Sequence, residues 1–226
     1  MTRVGFIESI IRSQSSIWAG VSNTLMASLY AILISTVIGI TFGIILTYGN
    51  KYVKIPFRIY VDAIRGIPGL VIIFAVYYFI DFQLRSWGLG MPPFVAGFIA
   101  LSVNASAHVA ENTRGALQTI PKGQIDAGKA IGLKFWGILS HILIPQALVR
   151  MLPPWVNTIT EIVKGSTLLA LIGVAELLLT TQQLIAMNNN ALQYYAFAGL
   201  VYFLINFVVE RIGKFAEKKI SKGMSV

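Results

Sequence analysis

Gln124–Pro145 reads QIDAGKAIGLKFWGILSHILIP. It places Asp126, Lys129 and Lys134 in a chain that otherwise avoids charge. With Gly123 it also holds most of a phosphate-binding signature, because Gly123, Gly128 and Lys129 stand at GxxxxGK spacing. The next residue is Ala130, where a P-loop needs a hydroxyl to hold magnesium. A P-loop further requires a buried strand before it, and here an apolar span precedes. Pro121 suits the first turn of a short helix, and Gly132 suits its end. Within such a helix the amides of Gly123–Lys129 bond to helix carbonyls and cradle no phosphate. The stretch is therefore expected to be a short polar helix, and the chain to carry no ATPase site of its own.

The surroundings of that helix set the fold class. The 226 residues are 56% hydrophobic and 12% charged, with a mean hydropathy of +0.72. A soluble domain rarely reaches such a composition, so the expectation is an all-α polytopic membrane protein. Ser13 to Asn50, Ser86 to Ala110 and Leu177 to Val209 are free of charge. Each run can cover a hydrocarbon core of about 30 Å, which takes roughly 20 helical residues. With no cysteine, disulfides, thiolate catalysis and cysteine metal sites are excluded. The two histidines, His108 and His141, are too few for a convincing metal cluster. Scattered carboxylates offer no nucleophile–base set, which disfavours an enzyme. No cleavable signal peptide is apparent. Ile7, Ile10 and Ile11 share one helical face and suggest a short interfacial helix, a disordered N-terminus being the alternative.

Five spans are expected, at roughly Thr24–Tyr48, Phe57–Ile80, Phe94–Thr113, Ala147–Leu169 and Tyr194–Phe215. A loop through DFQLRSWGLGMPP follows the second. Phe135–Val149 is apolar but only about 22 Å long as helix, so it reads as an interfacial or buried return helix. Ala170–Met187 should lie near the far surface, and Asn188–Asn190 should form a loop. Ser35, Gly39 and Gly43, at four-residue spacing, allow a helix to approach closely, either within the chain or from another subunit.

The net charge of +9 suggests topology more than nucleic acid. With five spans, Lys51, Lys54, Arg58, Arg114, Lys122, Lys129, Lys134, Arg211, Lys214, Lys218, Lys219 and Lys222 fall on one side. Only Arg3, Arg12 and Arg85 fall on the other. The positive-inside rule then puts the N-terminus outside and the C-terminus in the cytoplasm. A sixth span at Phe135–Val149 would carry the basic tail outside and is rejected for that reason.

Asp126-Ala127-Gly128, then Gly132, then Ile142-Leu143-Ile144-Pro145 resembles the Glu-Ala-Ala-x3-Gly-x9-Ile-x-Leu-Pro pattern of permease subunits in binding-protein-dependent ABC importers. All spacings hold, with Asp for Glu, Gly for the second Ala and Ile for Leu. The glycine should loosen the helix by about 1 kcal/mol, which bears on the strength of coupling. IRGIPGL at Ile64–Leu70, AENTRGALQTIPKGQ at Ala110–Gln124, IPQALVRMLPPWVN at Ile144–Asn157 and KGSTLLALIGVAEL at Lys164–Leu177 are similar to stretches of polar amino-acid permeases. Gly165 stands where those carry Asp. The resemblance covers roughly Trp18–Lys214 and points to the histidine, glutamine and arginine type of amino-acid importer.

The resemblance implies the type I ABC importer permease fold: five transmembrane helices in a single domain over residues 1–226, with a cytoplasmic coupling helix between the third and fourth. The coupling segment is expected at residues 114–145, with Gln124, Asp126, Ala127, Gly128, Lys129 and Gly132 as its contacts to the ATPase. Two ATPase subunits, a second permease subunit (identical or homologous) and an extracytoplasmic solute-binding protein are implied as partners in the bacterial inner membrane. ATP and magnesium would be used by the ATPase, and no cofactor by this chain.

Ionisable groups inside spans are costly and mark functional candidates. Asp62, Arg65, Glu111, Glu161 and Lys164 qualify. The bilayer midplane falls near Pro68, Asn104 and Thr158, and Ile67-Pro68-Gly69 can break its helix there. A zwitterionic amino acid needs a donor and a carboxylate, which Arg65 and Glu161 can supply. The expected substrate path comprises Arg65, Ile67, Leu70, Asn104, His108, Asn157, Thr158 and Glu161. Ion pairing is the structural alternative for Arg65 and Glu111, and packing for His108. Other solutes (methionine or a quaternary amine) remain alternatives. An ion-driven secondary transporter would favour an internal repeat, and none is apparent.

Overall fold

The computed structural model describes residues 6–224, with side chains through Ile220, so Arg3 lies outside the described residues. Nine helices follow one another, and no strand occurs among the described residues. Helix α1 is Phe6–Arg12, α2 Gln14–Tyr48, α3 Lys51–Gly66 and α4 Gly69–Ser86; α5 is Pro93–Gln118, α6 Lys122–Ala130, α7 Phe135–Ile172, α8 Leu177–Asn188 and α9 Ala191–Met224. Five of these runs are long and apolar enough to cross a membrane: α2, α4, α5, α7 and α9.

The core is the contact between α2 and α5, and small residues make it. Ser35 is fully buried. A Cβ added to Gly39 would sit 2.5 Å from Val109 Cβ, and one at Gly43 would sit 2.5 Å from Thr113 Cβ. Ala27 and Ala31 on α2 pack with Ala96, Ala100 and Leu101 on α5. The four-residue stripe thus serves packing within the chain.

The second span is longer than Phe57–Ile80 and comes in two pieces. Phe42 of α2 packs edge-on against Phe57 of α3, with centroids 4.7 Å apart. Further along α2, Ala27 and Ala31 meet Ile72, Ile73 and Val76 of α4. Residue numbers fall on α2 as they rise through α3 and α4, so both pieces run back along it as one span broken at Ile67 and Pro68. The helix then continues through Asp81–Ser86, where a loop was expected. Asp81 holds that extension by accepting from Arg85 Nε and Met91 N, both at 2.6 Å.

The return helix expected at Phe135–Val149 does not exist as a separate element. It is the first part of α7, which runs unbroken to Ile172. Pro145 lacks an N–H and its ring crowds the preceding turn. A π-turn at Leu139–Leu143, closed by Ile144 N–H bonding to Leu139 O, precedes that proline and lets the helix pass. The count of five spans survives.

At the far end, Gly173 turns the chain with φ +82° into α8. Gly20 of α2 abuts Thr180 there. Asn189 (φ 57°) ends α8 as expected for a loop. Helix α1 is tied to the same end, because Ser9 Oγ hydrogen-bonds Tyr194 OH and Phe6 packs edge-on against the Tyr194 ring at 5.2 Å.

Candidate functional site

Helix α6 starts and stops where Pro121 and Gly132 require. Pro121 is its N-cap residue (φ −58°, ψ 139°). At the other end Leu133 N donates to Gly128 O at 3.0 Å and Gly132 N to Lys129 O at 2.9 Å. With Gly132 at φ +80°, this is a Schellman close, which an L-residue would strain. Gly123–Lys129 all lie in the helix or its last turn, so the P-loop spacing is a coincidence of helical residues.

One face of α6 is anchored. Gly128 is buried, and a Cβ there would stand 2.9 Å from both Ile138 Cγ1 and Ile142 Cδ1 of α7. The glycine that looked like a loosened helix is thus where α6 presses against the base of the fourth span. Ile125 and Leu133 join the same cluster with Leu117, Ile120, Ile138 and Leu139. The opposite face is bare. Gln124, Asp126, Ala127, Lys129 and Ala130 are exposed, as is Ile131 at 75%. Asp126 and Lys129 pair loosely at 3.7 Å. Arg150 Nη1 donates to Thr119 O at 2.6 Å and caps the end of α5 beside this helix.

Above α6, α4, α5 and α7 meet around a small cleft of about 50 Å³. Asn104, His108, Thr158 and Glu161 line it with Gly69, so half of the expected path is brought together. The broken helix makes this possible: Ile67 is extended (φ −97°, ψ 133°), and the bare Gly69 backbone comes to Asn104, whose Nδ2 lies 3.7 Å from where a Cβ would be. Arg65, Ile67, Leu70 and Asn157 lie outside the cleft lining. Arg65, Ile67 and Asn157 are exposed beside it. Thr158 is partly occupied in holding helices: it donates to Pro154 O at 3.0 Å and accepts from Asn112 Nδ2 at 3.4 Å.

The ionisable candidates divide by partner. Arg58 bridges Asp62 at 2.8 Å and Glu111 at 3.2 Å, tying α3 to α5. Arg114 Nε closes on Glu111 Oε2 at 3.1 Å. Asp62 and Glu111 are therefore neutralised by arginines. Arg65, Glu161 and Lys164 form no ion pair within 4.0 Å among the described residues. No group of three metal-ligating side chains occurs among the described residues.

Glu176 was missed as a key residue. It is fully buried at the start of α8. It accepts from Leu178 N at 2.9 Å, Leu179 N at 2.8 Å and Tyr202 OH at 2.5 Å. Beside it, Leu177 N donates to Thr24 Oγ1 at 3.1 Å. One carboxylate thus joins α8 to α9, while its neighbour joins α8 to α2. Burial pushes its pKa up, against the hydrogen bonds that stabilise the charge. A lone acid before an apolar run was the available signal.

Residues 39–222 match the family described as binding-protein-dependent transport system inner membrane component. The chain is 32% identical over 200 residues to the glutamine transport system permease protein GlnP of Escherichia coli (strain K12), covering 88% of this chain and 90% of that one. It is 31% identical over 201 residues to the octopine transport system permease protein OccM of Rhizobium radiobacter, covering 86% and 81%. Among solved structures, an amino acid ABC transporter crystallised with histidines superposes with a TM-score of 0.83 at 26% identity, covering 97% of this chain and all of that one. An inward-facing MetNI methionine ABC transporter gives 0.80 at 21% identity, covering 92% and 98%, and shares the fold.

Proposed function

The chain belongs to the family of binding-protein-dependent transport system inner membrane components, and from that premise we propose that it is the permease subunit of an ATP-driven importer of polar amino acids. The observation that carries the proposal is α6: a short helix between the third and fourth spans, fixed by Gly128 on one side and bare on the other. The bare face docks a separate ATPase subunit through Gln124, Asp126, Ala127 and Lys129. Gly128 and Gly132 set its position, and residues 114–145 act as the coupling segment. Movement imposed on α6 passes directly to α7 through Ile138 and Ile142, because close-packed contacts transmit displacement.

Asn104, His108, Thr158 and Glu161, with Arg65 and the Ile67–Leu70 break at the rim, form the substrate path. A carboxylate in the cleft and a guanidinium outside its lining suit the ammonium and carboxylate ends of an amino acid. Unpaired charges at this depth do not face lipid at low cost, so this face lines the path or meets the second permease subunit. The positive-inside rule supports a cytoplasmic C-terminus for α9, and the solute-binding protein then delivers from the opposite side, that of α1 and α8.

The test is reconstitution with the ATPase and the binding protein, assayed over a panel of amino acids. Uptake and substrate-stimulated ATP hydrolysis by polar amino acids are expected. Stimulation by methionine, a quaternary amine or no solute at all would overturn the substrate reading.

A further inference from the structure

We propose that the cytoplasmic end of α9 binds the headgroups of anionic phospholipids, through an arc made by Arg211, Lys214, Lys218 and Lys219. At about 100° per residue, these four cations point to one side of the helix. Of the acids of the segment, Glu217 falls beside the packed line through Gly213, where an added Cβ would sit 2.6 Å from Val156 Cγ2, and Glu210 stands at the edge of the arc, paired with Lys214. Large apolar groups stand bare among the cations: Ile212 is 63% and Phe215 70% exposed.

The same arc, followed back toward the membrane, is apolar and equally bare. Leu200, Phe203, Leu204, Phe207 and Val208 are 55%, 62%, 50%, 41% and 53% exposed. Arg211 lies over the Phe207 ring, 4.8 Å from its centroid, where the character changes. A helix face that passes from hydrocarbon-facing to basic, with aromatic and aliphatic groups at the join, matches the boundary between acyl chains and phosphates. A second copy of the chain would bring like charges together across a two-fold axis, and among the described residues only Lys214 of the four has an acid within 4.0 Å (Glu210, at 3.6 Å). The inference rests on the cytoplasmic placement of this end.

The chain has no cysteine, so a label at Phe215→Cys is unique within it. The labelled subunit is assembled with its partners in vesicles of phosphatidylcholine containing phosphatidylglycerol, with one lipid or the other brominated. Brominated phosphatidylglycerol should quench the label well beyond its share of the bilayer. Lys214→Gln, Lys218→Gln and Lys219→Gln should each weaken that preference by up to about fivefold, and together abolish it. Equal quenching by both lipids would overturn the proposal. Quenching by neither would also overturn it, showing that protein covers the face. Amino-acid uptake in the same vesicles is read separately: lost uptake with the lipid preference intact would count against the transport function and leave this site standing.

Discussion

At the scale of single residues, the structure turns on a few side chains that leave no room for substitution. Leu at Gly39 would drive atoms into Val109 and the Ser106 carbonyl and should cost about 1–3 kcal/mol or more, seen as a lower unfolding temperature in detergent. Glu176→Ala should cost a similar amount, about 1–3 kcal/mol, because the Leu178 and Leu179 amides and the Tyr202 hydroxyl lose their acceptor. The buried Glu176 carboxyl has its pKa raised by desolvation, so the folded state holds its proton more tightly than the unfolded state. The resulting stability is present below the unfolded pKa and is lost as pH rises through the folded one. Unfolding temperatures measured from acid to neutral pH should show that loss, and Glu176→Gln should flatten it. Asn104, His108, Thr158 and Glu161 were legible in the sequence because polar groups stand out in apolar spans. Glu176 was not, because its role depends on α9 returning to α8, a contact between distant parts of the chain.

At the scale of elements, the five spans and the short helix between the third and fourth were legible from charge-free runs, Pro121 and Gly132. Boundaries were not. The second span gains Lys51–Pro56 and Asp81–Ser86 because Arg58, Asp62 and Asp81 find ion pairs or caps, which removes the penalty that polar residues suggest. The fourth gains its first turns because the π-turn at Leu139–Leu143 admits Pro145. The break at Ile67 and Pro68 opens the Gly69 backbone toward Asn104. Replacing Pro68 with Ala restores an N–H and permits α3 and α4 to join. Uptake by the reconstituted assembly should fall several-fold while the unfolding temperature stays level or rises. Unchanged uptake would show that the break has no part in transport.

At the scale of the whole molecule, a bundle of five spans carries one small helix anchored on its fourth span, and the proposed function makes that helix the seat of the ATPase. Gly132→Trp strains a φ of +80°, at roughly 1–2 kcal/mol, and tilts α6 from its seat. Uptake should fall well below ATP hydrolysis in the reconstituted assembly, and full uptake would argue against coupling through α6. The most direct test uses Ala127→Cys, which is exposed on α6 in a chain free of cysteine. The variant is treated with a short thiol–amine cross-linker in inside-out membrane vesicles carrying the whole assembly. The account predicts a covalent adduct with the ATPase subunit whose yield changes when ATP is bound. A thiol that reacts only with reagents applied from the outer compartment, or that forms no adduct with the ATPase in an assembly still transporting, would contradict it.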